Sequence, residues 1–363
     1  MLSSAELNRY NRHIILPEIG LAGQEKLKQA RVLVIGAGGL GCPVLQYLTA
    51  AGVGTIGIAD FDVVSESNLH RQILFSAADV GKSKAEVAAQ KLAVQNPFVK
   101  FELHTEGITV QNALELVQDY DIVVDGSDNF PTRYLVNDAC AMQQKPLVFG
   151  AIFKFEGQAS VFHYKNGPSY RCLFPEPPSR NEVPNCSEVG VMGVLPGLIG
   201  TIQATEVIKI ICEAGEVLSG KLLLLNSLTM ETSSIKFKRT AQAEVTALQP
   251  DYEAFCAPAT AGSAADEIEE ISADELKDLL DEEADFQLLD VREPYEYEQY
   301  NIEGTLLPLS TLEQQLDKVE PSKTVVVHCK TGSRSRQAIQ LLQQHFPQTT
   351  FYNLTGGIDQ YPY

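Results

Sequence analysis

The sequence of 363 residues predicts an α/β protein: a mostly parallel sheet covered by helices, followed by a second and smaller α/β domain. Three features carry that prediction. Short apolar runs alternate with helix-periodic segments, the pattern of β-α-β units. The first apolar run ends at a glycine-rich turn that opens the next helix. Late in the chain, a stretch of small residues unable to bury a core separates this region from another alternation of the same kind.

Taken in order, Arg31-Val-Leu-Val-Ile35 predicts a buried strand, and Cys42 to Ala51 has helical spacing. Thr55-Ile-Gly-Ile-Ala59 is the next strand, Lys84 to Val94 a helix, and Asp121-Ile-Val-Val124 a further buried strand. The uncharged stretch Val189 to Thr205 holds Pro196 and four glycines in 17 residues; it predicts a buried helix starting near Val194 rather than a membrane span. Ala257-Pro-Ala-Thr-Ala-Gly-Ser-Ala-Ala265 is the expected linker. The domains are therefore placed at 1–250 and 269–363, with a flexible linker over 251–268. In the second, Phe286-Gln-Leu-Leu289 and Thr324-Val-Val-Val327 predict strands and Ser335 to His345 a helix.

Apolar residues at 44% give ample material for a core. Lys plus Arg total 28 against 47 Asp plus Glu, a formal net charge of −19, which excludes a general nucleic-acid binder built on a basic patch. The charge is uneven: residues 251–300 hold 17 acids against Lys277 and Arg292, a net of −15 that leaves −4 elsewhere. Such a run is ordinarily a solvated face and is assigned no partner. Arg9 and Arg12 are not followed by the apolar core of a secretory signal, and seven scattered cysteines do not make a secreted disulfide framework. A soluble cytoplasmic protein is expected, with neither nucleic acid nor membrane as partner.

Gly36-Ala-Gly-Gly-Leu-Gly41 follows the first strand, where glycines allow a tight turn and close approach of phosphate to a helix N-terminus. Asp60 ends the next strand, 19 residues beyond Gly41, where a carboxylate can accept ribose hydroxyls. This pair alone suits an NAD-dependent oxidoreductase. The next segment does not: Ser65-Glu-Ser-Asn-Leu-His-Arg-Gln72 comes directly after Asp60-Phe-Asp62, and Lys84 lies thirteen residues past Arg71. Two cations and an amide beside a glycine turn suit a triphosphate, with charge building at the α-phosphate during attack. In Val123-Val-Asp-Gly-Ser-Asp-Asn129, Asp128 stands just beyond a strand end facing the ligand crevice, a position for a Mg²⁺ ligand.

Two cysteines stand out. Cys186 closes a polar, proline-rich loop, Glu176 to Asn185, where a thiol could capture an activated acyl group. Cys329, in Val327-His-Cys-Lys-Thr-Gly-Ser-Arg-Ser335, lies between a buried strand and a helix start. Loop N–H groups pointing inward and Arg334 would favour a thiolate and cradle an anionic sulfur or oxyanion. Cys42, Cys140 and Cys212 sit in apolar helical stretches as core residues, and Cys256 falls in the linker.

Over about residues 5–240, Arg9-Tyr-Asn-Arg-His-Ile-Ile-Leu16, the glycine turn, Asp60-Phe-Asp62, Ser67-Asn-Leu-His-Arg-Gln72, Lys84 and Asp128-Asn129 resemble the MoeB/ThiF group of ubiquitin-activating-enzyme-like adenylyltransferases. The resemblance implies a Rossmann-like domain in which the C-terminal Gly-Gly carboxylate of a ubiquitin-like sulfur-carrier protein attacks ATP, giving an acyl-adenylate. It implies nucleotide contacts from Gly36, Gly38, Gly39, Gly41, Asp60, Ser67, Asn68, Leu69, His70, Arg71, Lys84, Asp128 and Asn129, with Mg²⁺ on Asp128. Arg12 matches an arginine that reaches the neighbouring subunit's site, which implies a homodimer.

Asp290-Val-Arg-Glu293, the Cys329 loop and Tyr352-Asn-Leu-Thr-Gly-Gly357 resemble a single rhodanese domain over about 269–363. A phosphatase of that fold has five residues between cysteine and arginine; Lys330-Thr-Gly-Ser333 is four, the smaller loop that suits a persulfide. Tyr300-Asn-Ile-Glu-Gly304 departs from the usual Gly-His, and the usual tryptophan is missing. Members of the first group commonly hold zinc on two Cys-x-x-Cys pairs. Here Ser169-Tyr-Arg-Cys172 keeps one thiol and no pair follows Thr240, so no zinc is expected. The two resemblances together imply adenylylation followed by sulfur transfer from a Cys329 persulfide, giving a carrier thiocarboxylate. The sulfur donor would be a cysteine desulfurase or thiosulfate, and molybdopterin synthesis the foremost destination.

Overall fold

The apolar runs form strands, and the computed structural model describes residues 1–178, 190–256, 268–282 and 284–362. Two units result, Met1–Ala259 and Thr260–Tyr363. The first begins with helices α1 (Ser4–Arg9), α2 (Asn11–Ile14) and α3 (Gly20–Gln29), then β1 (Arg31–Ile35), α4 (Gly41–Ala51) and β2 (Thr55–Ala59). Next come α5 (Lys84–Gln95), β3 (Lys100–His104), α6 (Ala113–Gln118), β4 (Ile122–Asp125), α7 (Phe130–Gln143), β5 (Leu147–Phe153) and β6 (Glu156–Phe162). The long helix α8 (Leu195–Cys212), β7 (Lys221–Asn226), β8 (Glu231–Lys236) and the short α9 (Tyr252–Phe255) complete it.

Among the described residues the sheet runs β3-β2-β1-β4-β5-β6-β7-β8. It is parallel as far as β5 and antiparallel beyond. β1 pairs with both β2 and β4, Leu33 standing opposite Gly57 and Val123. Strand order reverses there, which opens a crevice at the strands' C-terminal ends. Gly36 fills the mouth of that crevice with φ +86°, a left-handed conformation that favours glycine. A β-carbon on Gly36 would lie 2.9 Å from the Gly126 carbonyl oxygen, and one on Gly41 only 1.9 Å from the Gly36 carbonyl oxygen. The turn therefore brings the N-terminus of α4 against the end of β4.

Helix α8 is long and apolar enough to cross a membrane by composition. Leu195, Ile199, Gln203, Ala204 and Val207 are nevertheless buried in this unit, against α3, α4, β5 and β6. Gln203 crosses onto the sheet, its Nε2 donating to the carbonyls of Asp125 at 2.7 Å and Val148 at 3.3 Å. A buried amide thus satisfies the carbonyl at the very end of β4.

The expected linker began at 251, but α9 folds back onto this unit. Tyr252 Oη donates to Asp138 Oδ2 at 2.6 Å, and Arg171 binds the same carboxylate through Nε and Nη2, each at 2.7 Å. Phe255 meets Tyr134 edge-on, and Cys256 behind it is buried. A buried carboxylate needing donors, and aromatic rings needing cover, hold this segment; composition alone does not reveal either.

The second unit contains β9 (Glu269–Ile271), α10 (Ala273–Asp281), β10 (Phe286–Asp290), α11 (Pro294–Gln299), β11 (Thr305–Leu306), β12 (Thr324–His328), α12 (Ser333–His345) and β13 (Phe351–Leu354). Its sheet, ordered β11-β10-β12-β13-β9, is parallel throughout. Leu289, Val325, Val327, Ala338, Ile339 and Leu342 form one side of its core.

The glycine turn yields a test of this packing. At Gly38 a β-carbon would approach nothing nearer than Gln72 Nε2 at 3.6 Å, ordinary contact, whereas at Gly41 it would strike backbone. Gly38→Ala is expected to melt within a few degrees of the parent. Gly41→Ala should lower the transition of this unit by about ten degrees or more, or leave the chain insoluble, by the measure of a clash that only backbone movement relieves. Equal melting of the two variants would refute the crowding at Gly41.

Candidate functional site

At the ends of β1, β2 and β4 the chain assembles a polar crevice. Asp60, buried at the end of β2, accepts the Ala37 N–H at 2.7 Å on one oxygen and the Asp62 N–H at 2.8 Å on the other. Burial pushes its carboxyl up from the ordinary range while those two amides oppose the shift. Its side chain therefore braces the glycine turn as well as standing where a ribose contact was expected. Lys84 is the first residue of α5; its buried side chain donates to Asp62 Oδ2 at 2.8 Å, and Asp62 is exposed. An ion pair with one partner in water contributes little, so an incoming phosphate can displace it.

Arg71 follows a 3-10 turn, Glu66–Asn68. Its Nη1 donates to the Ser67 carbonyl at 3.1 Å and to His70 Nε2 at 2.8 Å. Burial first, and Arg71 second, push His70 down, consistent with a neutral ring that accepts. Arg71 Cδ lies 3.6 Å from where a Gly39 β-carbon would stand. The remaining residues of that motif mostly build the turn. Asn68 Oδ1 accepts the Ser65 N–H at 3.3 Å, the Ser67 and Ser65 hydroxyls meet at 3.0 Å, and Leu69 packs against the core. Gln72, to which the sequence gives no role, is buried beside Gly38 with its Oε1 unbonded among the described residues.

Asp128 stands exposed just past β4, and Asn129 caps α7, accepting the Thr132 N–H at 2.9 Å. One carboxylate together with substrate phosphates is a usual set of partners for Mg²⁺, which suits Asp128 at this strand end. No cluster of three or more candidate ligands occurs among the described residues. Behind it, sequence reasoning missed a buried pair. Asp125 Oδ1 accepts from Ser127 N at 2.9 Å and Ser127 Oγ at 2.6 Å, while Asp125 Oδ2 lies 3.6 Å from Arg133 Nε. The available signal was spacing: Arg133 is one helical turn past Asn129. Arg12, on α2, is exposed and has no hydrogen-bond or ionic partner among the described residues of its own chain.

In the second unit Cys329 follows β12 and is fully buried. Its Sγ accepts the Gly332 N–H at 3.1 Å, and Ser335 Oγ lies 3.4 Å away. Gly332 has φ +95°, and Gly357 passes so close that a β-carbon there would lie 2.5 Å from the Lys330 carbonyl. Arg334 is expected to add positive charge at the loop, and its attraction to the Cys329 sulfur agrees with that placement. It is held there by Glu296 of α11, at 2.6 and 2.8 Å. Those bonds push Arg334 up; burial alone would raise Glu296, but the same bonds hold it below the carboxylate range. The fork is thus oriented by a carboxylate, and its net field at the sulfur is reduced. Beneath the loop, Asp290 binds Arg292 at 2.5 Å, and burial pushes His328 down to about 4, leaving it neutral.

Cys186 lies outside the described residues. Cys172 is half-buried and takes three hydrogen bonds of 3.4 Å, from Ser169 N, Ser169 Oγ and Thr240 N. Burial alone would raise this thiol, but those bonds outweigh it and leave it lowered.

Comparison with known proteins matches residues 10–282 to the ThiF family and residues 272–362 to the rhodanese-like domain. The chain is 45% identical to a probable adenylyltransferase/sulfurtransferase MoeZ of Mycobacterium tuberculosis, over 94% of this chain and 90% of that one. It is 51% identical to a sulfur carrier protein adenylyltransferase of Thermus thermophilus, over 69% of this chain and 97% of that one. Among solved structures, E. coli MccB with AMPCPP and MccA is similar at a TM-score of 0.57 and 26% identity, covering 64% of this chain and 73% of that one.

With Cys172 bonded to Ser169 and Thr240 and no further candidate zinc ligand grouped with it among the described residues, elemental analysis of the purified protein is expected to find no stoichiometric zinc. About one zinc per chain would mean that a fuller ligand set exists.

Proposed function

Because the chain belongs to the ThiF family and ends in a rhodanese-like domain, we propose that it activates a ubiquitin-like sulfur-carrier protein with ATP and then delivers sulfur to it. The observation that carries this reading is the presence in one chain of two complementary sites. One is a glycine turn flanked by Arg71, Lys84 and Asp128; the other is a buried thiol bonded to a loop amide. The two reactants they would make, an acyl-adenylate and a persulfide, are successive partners in a single reaction sequence.

In the first half-reaction the carrier's C-terminal glycine carboxylate attacks the α-phosphorus. The bond to the bridging oxygen breaks, and pyrophosphate leaves. Backbone N–H groups at the start of α4 face the phosphates, and Asp60 holds the turn that aims them. Lys84 and Arg71, each resting on a replaceable partner, are available to the charge that develops at phosphorus. Asp128 would hold Mg²⁺, which when bound neutralises phosphate charge. Arg12, whose side chain is exposed and without a partner among the described residues of its own protomer, would complete the site of a second subunit in a homodimer.

In the second half-reaction Cys329, charged with sulfur by a cysteine desulfurase or thiosulfate, attacks the acyl carbonyl through its terminal sulfur and AMP leaves. The resulting acyl disulfide is opened by two equivalents of a thiol reductant, which leave as their disulfide while the carrier thiocarboxylate and the Cys329 thiol are released. Cys186 is given the other route, taking the acyl group from the adenylate as a thioester or acyl disulfide. Molybdopterin synthesis is our preferred destination; thiamine, cysteine or tRNA thiolation would use the same chemistry.

The two half-reactions can be tested separately. Asp128→Ala should lower carrier-dependent exchange of pyrophosphate into ATP by about a hundredfold and leave thiosulfate cleavage intact. Cys329→Ala should do the reverse, abolishing sulfur transfer with exchange unchanged. Loss of both activities in either folded variant would contradict the division of labour. Mixing Arg12→Ala with Asp128→Ala protein under subunit exchange should restore part of the activity, since heterodimers regain one intact site in two. If heterodimers form and activity stays absent, Arg12 does not act across an interface.

A further inference from the structure

The sulfur-transfer chemistry leaves one contact of Cys329 unused. Ser335 Oγ lies 3.4 Å from Cys329 Sγ and 2.6 Å from Asn353 Oδ1. Asn353 Nδ2 in turn lies 3.1 and 3.0 Å from the two oxygens of Glu270. Ser335 and Asn353 are buried, while the Glu270 side chain is 32% exposed. That carboxylate also accepts from Thr355 Oγ1 at 2.9 Å and pairs with Arg336 at 2.8 Å. A continuous line of polar groups thus leads from the buried sulfur through α12, β13 and β9 to solvent.

Counting protons shows what this line does. A carboxylate can only accept, so Asn353 must turn its NH₂ toward Glu270 and its carbonyl toward Ser335. A serine hydroxyl has a single proton, and at 2.6 Å that proton belongs to Asn353 Oδ1. Ser335 can then only accept from Cys329, whose S–H is the donor. Once the sulfur is anionic it has no proton to give. The Ser335 proton must swing to sulfur, and Asn353 Oδ1 loses its partner. We propose that Ser335, Asn353 and Glu270 form a positioning relay that couples negative charge on the Cys329 sulfur to the orientation of one hydroxyl, with Glu270 holding that hydroxyl in its resting direction. Its importance for turnover rests on the sulfur-transfer reading above; its geometry does not.

Arg334 acts on the Cys329 sulfur through space, but none of the other charged groups around the loop is hydrogen-bonded to the Ser335 hydroxyl among the described residues. Arg334 is held by Glu296, Asp290 by Arg292, His328 is neutral, and Lys330 is exposed on the loop's outer side. Arg336 acts on Glu270 itself. The relay holds the Ser335 proton on Asn353 and reserves it as a second donor, beside the Gly332 N–H, for the charged sulfur.

The test is alkylation of Cys329 by iodoacetamide across a pH series in the full chain, followed on the Cys329 peptide by mass spectrometry. In Glu270→Gln, Arg336, which pairs with Oε1, keeps the new side chain's carbonyl, so the NH₂ takes the Oε2 place, where Thr355 Oγ1 can accept from it and its other proton faces Asn353. The Asn353 amide then turns over and frees the Ser335 proton for sulfur. Alkylation near neutral pH should rise by about threefold or more, with the profile moved toward acid; Ser335→Ala should slow it by about tenfold and move it the other way. Ser335→Thr, which keeps the hydroxyl, should behave like the parent. The double variant Glu270→Gln/Ser335→Ala should match Ser335→Ala alone. If the Glu270→Gln effect survives without Ser335, it is a through-space charge effect and the relay is wrong; no Glu270→Gln effect at all also overturns it. Should Ser335→Ala fail to fold, Asn353→Leu substitutes: it should mimic Glu270→Gln and be insensitive to it, and sensitivity would refute the relay. Thiosulfate cleavage by the parent is measured alongside, since its absence would remove the sulfur-transfer reading while the alkylation outcomes still decide the relay.

Discussion

Where β1 and β4 end, two stretches of backbone lie too close for a β-carbon to stand between them. Gly36 faces the Gly126 carbonyl, Gly126 faces that of Ile35, and Gly41 sits over Gly36. This contact sets the direction in which α4 leaves the sheet, and so the direction of its free N–H groups. It also puts the Ala37 N–H within reach of Asp60 and sets Gly39 between Pro196 and Arg71. The phosphate-facing geometry is thus a consequence of backbone crowding at the reversal of strand order. The charged side chains are arranged around a cradle that already exists.

Those charges fall into two groups that differ in what would be lost if they moved. Lys84 on Asp62, and Arg71 on Ser67 and His70, rest on partners that are themselves at least partly in water. Replacing such partners with phosphate oxygens costs little. Asp125 with Arg133, and Asp138 with Arg171 and Tyr252, are enclosed, and removing one member would strand another in a medium that cannot solvate it. The first group can serve a ligand; the second holds the end of β4 and the α9 segment in place. Gln203 belongs with the second, since it satisfies the last carbonyl of β4 from a helix that is otherwise apolar.

The sheet, the glycine turn and the strand before Cys329 were legible because their determinants are local. Apolar runs, a glycine spacing and a four-residue loop each lie within about a dozen residues. Cys42, Cys140 and Cys212 were assigned to the core by their apolar helical neighbours, and all three are buried. Pairing across distance escaped the sequence. Nothing near Arg334 announces that Glu296, 38 residues earlier, will occupy it. Nor does a linker-like composition after Gln249 reveal that Tyr252 will reach Asp138, 114 residues away. Asp125 and Arg133 were overlooked for another reason. One ends β4 and the other lies on α7, and the pairing shows only once the fold brings them to 3.6 Å.

Four cysteines of the first unit are set apart from thiol chemistry by the packing around them. Burial raises Cys42 to about 12 and Cys256 to about 11, and pushes Cys140 and Cys212 up as well. At neutral pH these four are almost entirely protonated, and a protonated thiol is a poor nucleophile. The core packing that stabilises the first unit therefore doubles as chemical insulation. Among the described residues it leaves Cys172 as the one thiol outside the sulfur loop that is both partly exposed and held toward its anion. That thiol sits between Ser169 and Thr240, where hydrogen bonds do for it the opposite of what burial does for the four packed cysteines.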